Sequence, residues 1–132
     1  MDFHEISFRV RYAETDQMGV VHHGNYPQYL EMGRTEWLRS YGISYKAMED
    51  NGIILPVVSI SLNFKKSAYY DDIIVLRTYL RKKPMVRIEF DYEIYNGEGD
   101  LLAEADTVLA FMDAKKNKPI RCPADILEKI GF

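Results

Sequence analysis

The chain is nearly without cysteine: Cys122 is the single one in 132 residues. One thiol excludes an intrachain disulfide and any cysteine-cluster metal site, and it fits a reducing compartment. No stretch approaches the ~20 consecutive apolar residues that a membrane-crossing helix needs, so stable membrane insertion is not expected. The start, Met1-Asp2-Phe3-His4-Glu5, has no basic segment leading into an apolar run. No signal peptide is therefore expected, and a cytoplasmic location is. Basic charge is not in surplus, with 17 Lys and Arg against 20 Asp and Glu and a net charge of -3, which argues against a nucleic-acid partner. Glycine-rich phosphate loops, dinucleotide fingerprints and the HExxH pattern are all missing. His22 and His23 are adjacent but lack the Cys/His spacing of a zinc site, so no metal is expected. No repeat, low-complexity segment or linker divides the chain, and residues 1–132 read as one domain.

Tyrosine, by contrast, is frequent, at ten residues. Its ring packs while its hydroxyl keeps a partner, which suits strands, interfaces and pocket walls. Apolar residues make up 47% of the chain and charged residues 28%, a globular balance.

From Phe3 to Tyr12 the sequence alternates, with Ile6, Phe8, Val10 and Tyr12 on one face, as a half-buried strand does. Residues 13–25 break that pattern and read as a structured loop. Tyr26, Tyr29, Leu30, Gly33, Trp37, Leu38 and Tyr41 then fall on one side of a helix over 26–41. Asn25 is the expected N-cap with Gln28 as its capping-box partner, Pro27 fits the first turn, and Gly42 the C-cap. A short helix is expected over 44–50. Four further strands follow, built on Val58/Ile60/Leu62/Phe64, Ile74/Leu76/Thr78/Leu80, Val86/Ile88/Phe90/Tyr92/Ile94 and Leu101 to Phe111. Short turns between them predict an antiparallel meander, and a helix over 123–130 closes the chain. The fold class is α+β, with one long helix burying its apolar face on the sheet. Gly33 at the helix centre would let the two approach closely.

Chemistry concentrates in the loop Tyr12-Ala13-Glu14-Thr15-Asp16-Gln17-Met18-Gly19-Val20-Val21-His22-His23-Gly24-Asn25-Tyr26. Taken alone, Asp16 reads as a turn-stabilising residue. The whole segment, however, resembles the signature of the 4-hydroxybenzoyl-CoA thioesterase-like branch of the hotdog superfamily, which includes the small bacterial acyl-CoA thioesterases associated with the Tol-Pal genes. The likeness continues through Glu31, Arg34 and Glu36, then Tyr70-Asp71-Asp72 and Lys118-Pro119-Ile120-Arg121-Cys122-Pro123, in register over nearly the whole chain.

That resemblance implies a hotdog fold, in which a five-stranded antiparallel sheet wraps a long central helix. It also implies pairing into a homodimer, or a homotetramer as a dimer of dimers, with acyl-CoA sites at the protomer interface. The activity implied is hydrolysis of an acyl-CoA thioester, with coenzyme A as part of the substrate and no separate cofactor. The motif carboxylate maps onto Asp16. It would act as nucleophile, giving an anhydride, or as general base on water, and both routes use its charged form. The developing oxyanion needs donors, and free amides at a helix start supply them. By motif position the backbone amide of His23 is the first choice and that of Gly24 the second. Tyr26 reads as core or pocket wall, and Val58 and Ser59 as part of an acyl path. Arg81, Lys82 and Lys83, at a predicted hairpin, would meet the phosphates of coenzyme A, although the same residues also read as ordinary solubilising charge. Two other activities fit a chain of this kind. One is a hotdog hydratase or dehydratase; the other is a non-catalytic acyl-CoA or acyl-carrier-protein binding protein.

Overall fold

The computed structural model describes residues 2–132. The first strand, β1, is His4–Arg9, with Ile6 and Phe8 turned inward and Glu5, Ser7 and Arg9 exposed. It stops three residues short of the predicted end. The cause is Glu14, whose carboxylate accepts the Arg11 amide at 2.9 Å and winds Tyr12–Glu14 into a 3₁₀ turn. Tyr12 therefore leaves the inward face and stands 77% exposed.

Helix α1 is Tyr26–Ser40, and its buried stripe is Tyr26, Tyr29, Leu30, Gly33, Trp37 and Leu38. Pro27 sits in the first turn, as expected, where its missing N–H breaks no bond. Gly42 takes φ +76° and ends the helix, a conformation that costs glycine little. Asn25 stands at the N-cap position without capping: its side chain turns away and donates to the Glu14 carbonyl at 2.9 Å. A second helix, α2 (Tyr45–Asp50), is capped by the Ser44 hydroxyl, which accepts the Ala47 amide.

Five strands form the main sheet in the order β1-β4-β5-β6-β3, with β3 at Val57–Phe64, β4 at Ile73–Leu80, β5 at Arg87–Asn96 and β6 at Leu101–Ala110. All pairings are antiparallel. The predicted meander holds only for β4, β5 and β6. Strand β3 pairs with β6 rather than with its sequence neighbour β4, so residues 65–72 carry the chain across to the other side of the sheet. A small second sheet joins β2 (Ile53–Ile54), β7 (Met112–Asp113) and β8 (Lys118–Pro119). It is too short for its pattern to stand out in the sequence. The chain closes with α3, Ala124–Lys129.

Helix α1 packs on one face of the sheet, against β1 and β4. Its closest approach is at Gly33, where an added Cβ would stand 2.6 Å from Thr78 Oγ1 and 2.7 Å from Leu76 Cδ2. Both distances are far inside van der Waals contact, so this position needs a residue without a side chain. The core between the layers holds Tyr29, Leu30, Trp37, Leu76, Ile88, Phe90, Tyr92, Ile94 and Leu109. One strand shares in it least: Leu62 of β3 packs against the core, while Val57, Val58, Ile60 and Phe64 are 48, 50, 43 and 48% exposed.

Candidate active site

Residues 12–25 leave β1, fold back on themselves and enter α1. The return is closed by a bridge between Thr15 and Val21 and by the Asp16 amide, which donates to the Val20 carbonyl at 2.9 Å. Gly19 makes the tip possible with φ +77°. The Val21 amide donates to the Ala68 carbonyl and the Tyr70 amide to the Gly19 carbonyl, which fastens the loop to the segment after β3.

Asp16 is half-buried in this loop. Its Oδ1 accepts the Met18 amide at 2.8 Å and, more weakly, the Val20 amide at 3.4 Å. So it does perform the turn-stabilising task that its local sequence suggests. That task occupies one carboxylate oxygen, and Oδ2 accepts no hydrogen bond from the described residues. The two expected amide donors differ. The His23 amide donates to no other group among the described residues. The Gly24 amide donates to His22 Nδ1 at 3.1 Å, so it is taken unless that imidazole moves. The His22 ring also lies against His23, with centroids 4.3 Å apart.

Asp16, His23 and Tyr26 line one cavity together with Val20, Val21, Phe64, Lys65, Lys66 and Ser67. Tyr26 is 3% exposed and meets Phe64 edge-on with centroids 5.0 Å apart, while burial pushes its hydroxyl pKa up. It is thus both core and wall. Val58 and Ser59 line no part of this cavity within one chain, and both lie exposed on β3.

The expected basic cluster divides. Arg81 is held by Glu89 at 3.0 Å, Asp91 at 2.7 Å and Asp106 at 3.3 Å, and Lys82 by Glu89 at 3.0 Å. The hydrogen bond and charge of Asp91 head the interactions that push the Arg81 pKa up, and Lys82 leads those that hold Glu89 below its ordinary range. Only Lys83 of the three has no ion pair among the described residues. With Lys82, Met85, Val86, Arg87 and Glu89 it lines a separate cavity. Lys65 and Lys66, by contrast, stand at the rim of the Asp16 cavity, Lys66 paired to Asp100 at 2.8 Å.

Sequence reasoning passed over Glu14. This carboxylate is 6% exposed. It accepts from the Arg11 amide (2.9 Å), Arg11 Nε (3.0 Å) and the Tyr29 hydroxyl (2.9 Å). Burial alone would raise its pKa, but the Arg11 amide, the Tyr29 hydroxyl and the Arg11 guanidinium together hold it below the usual value. Tyr29 is pushed up in turn, by burial first and by Glu14 second. A signal was present in the sequence: an acidic residue three positions after Arg11, and an inward-facing tyrosine one turn into the helix.

Residues 10–130 match the model of the thioesterase-like superfamily, and the chain belongs to that family. It is 31% identical to the acyl-CoA thioester hydrolase YbgC of Escherichia coli O157:H7, over 90% of this chain and 89% of that protein. Among solved structures, a DHNA-CoA thioesterase from Staphylococcus aureus is 38% identical with a TM-score of 0.89, covering 92% of this chain and 81% of that one. A 1,4-dihydroxy-2-naphthoyl-CoA thioesterase from Synechocystis is 26% identical with a TM-score of 0.90, covering 98% and 96%. The architecture is the hotdog fold that the sequence led us to expect.

Proposed function

We propose that the chain hydrolyses acyl-CoA thioesters, with Asp16 as the reacting carboxylate and the His23 amide as the first oxyanion donor. One observation carries this reading. Asp16 is anchored through Oδ1 and, among the described residues, keeps Oδ2 unbonded, in the same cavity as the residue whose amide has no partner among them. A fixed carboxylate and a free donor at one cavity are the two groups that addition to a thioester carbonyl requires. As a nucleophile, Asp16 forms a C–O bond to the acyl carbon, and the C–S bond breaks to release the coenzyme A thiolate. Water then cleaves the mixed anhydride and regenerates the carboxylate. As a general base, Asp16 takes a proton from the water that attacks the same carbon; the C–S bond then breaks, and the proton passes to the departing thiolate. Either route needs water and the thioester and no further cofactor.

The enzyme reaches its working form as a dimer, or as a tetramer of two dimers. The exposed apolar side chains of β3 support this, since an edge strand carrying such residues is a surface for pairing. Val58 and Ser59 then come to line the acyl path of a neighbouring protomer. Lys83 is the best placed of the hairpin cations to meet a coenzyme A phosphate, because Arg81 and Lys82 are already engaged. A lone, buried Cys122 suits a cytoplasmic enzyme, and no helix among the described residues is long and apolar enough to cross a membrane.

The test is thiol release from a panel of acyl-CoAs by the wild-type chain and by Asp16→Asn. The substitution preserves shape and the Oδ1 acceptor, so the fold should persist while kcat falls by roughly a hundredfold or more. Near-normal turnover by Asp16→Asn would remove Asp16 from the chemistry.

A further inference from the structure

Both halves of the proposed site hang on one residue outside it. Asp16 lies two positions after Glu14 on the outgoing limb of the loop, and His23 follows His22 on the returning limb. The Glu14 main-chain carbonyl accepts the His22 amide at 2.9 Å and the Asn25 side-chain amide at 2.9 Å. Its carboxylate accepts the Arg11 amide and side chain at the exit of β1, and the Tyr29 hydroxyl from the first turn of α1. We propose that Glu14 is a positioning residue for thioester hydrolysis, holding the limb that carries Asp16 and the limb that carries the His23 amide at a fixed separation. This rests on the reading of Asp16 given above.

A stability role does not explain the choice of residue. Burying a carboxylate among partners is often no better for stability than an apolar residue of the same size. Its return lies in geometry. A carboxylate with four directed contacts permits one arrangement of its neighbours, where an apolar side chain permits many. Here the carboxylate's neighbours are the strand exit and the helix start, and the returning limb hangs on the main-chain carbonyl of the residue they hold. Reacting groups displaced by about 1 Å can lose on the order of a hundredfold in rate, so a clamp at this point acts on turnover more than on binding. Asn25 fits the same account. A residue suited to capping α1 gives up that role and ties the helix entrance to Glu14 instead.

The experiment compares Glu14→Gln, Tyr29→Phe and Asn25→Ala with wild type, on an acyl-CoA that the wild type hydrolyses in an Asp16-dependent manner. Assays run well below each variant's melting temperature. Tyr29→Phe keeps the ring contacts to Phe8 and Tyr26, at centroid distances of 4.7 and 5.6 Å, and loses only the hydroxyl. Each variant should lose about tenfold in kcat or more with KM within about twofold. The Glu14→Gln/Tyr29→Phe double variant should lose no more than the worse single one, because the two act as a unit. If Glu14→Gln fails to fold, Tyr29→Phe and Asn25→Ala still decide the matter. Unchanged kcat in these variants, or losses that multiply fully, overturns the proposal while leaving Asp16 in place. A wild type that turns over no thioester at all, or one indifferent to Asp16→Asn, overturns the functional reading and this one with it.

Discussion

Strands β3 and β5 carry the same pattern in sequence and opposite fates in the folded chain. Both alternate apolar and polar residues. In β5, Ile88, Phe90, Tyr92 and Ile94 are at most 1% exposed, whereas in β3 Val58 and Ile60 are 50 and 43% exposed. The difference is one of place. Strand β5 is central, between β4 and β6, with α1 across its inner face, while β3 is an edge strand paired only with β6. Alternation says that a strand has two unlike faces. It does not say whether the same chain supplies the cover. For β5 the cover is α1, and for β3 the proposed cover is a second copy.

The comparison breaks first, and with the largest effect on the fold, at Ile94. Its side chain is wholly buried, so Ile94→Ala should cost about 3 kcal/mol, from lost transfer energy and the cavity left behind. The loss should be the same at every protein concentration when read by denaturant titration. A cost well under 1 kcal/mol would mean that β5 is not the core strand its burial indicates.

An inward charge on β3 should act differently. Ile60→Asp places a carboxylate on the exposed apolar strip of the edge strand, where an interface would have to bury it unpaired. Sedimentation should show the wild type as a dimer or tetramer and the variant as a monomer. The wild-type melting temperature should rise with protein concentration, and that of the variant should not. A variant that stays associated moves the interface elsewhere, and a wild type that sediments as a monomer leaves β3 with no cover.

This contrast also marks what could be read from the sequence. The stripe on α1 and the alternation of β4, β5 and β6 were legible because each is a periodic signal with its cover inside the chain. The close approach at Gly33 was legible for the same reason, since a glycine amid large apolar residues marks a place where layers touch. The strand order was not. That β3 pairs with β6 depends on where residues 65–72 carry the chain, and no local pattern encodes it. The loop around Asp16 showed its candidate residues by motif and concealed its support, because the Glu14 contacts join positions 11, 14 and 29, which share no period. The ion pairs of Arg81 and Lys82 were hidden for a related reason. A basic run at a hairpin looks free in one dimension, and only strand register brings Glu89, Asp91 and Asp106 beside it.

That register is open to a finer test on the charged face of the same sheet. Asp91 stands opposite Asp106 across β5 and β6, a like-charge pairing that is unfavourable by itself. Arg81 bridges the two and also reaches Glu89. Its side chain is 37% exposed, so solvent weakens each contact, and pairs of this kind contribute about 0.2–1 kcal/mol. Arg81→Ala should therefore cost about 1 kcal/mol at low ionic strength. The cost should shrink near 1 M salt, where the screening length is roughly 3 Å. Its KM for acyl-CoA should stay within about twofold of wild type, because the guanidinium is already satisfied within its own sheet. Lys83→Ala, removing a cation with no ion pair among the described residues, should raise KM by about fivefold at low salt and by less at high salt. If Arg81→Ala raises KM more than Lys83→Ala does, the carboxylates on β5 and β6 yield Arg81 to the substrate, and the charged face of β5 is no more self-sufficient than the apolar face of β3.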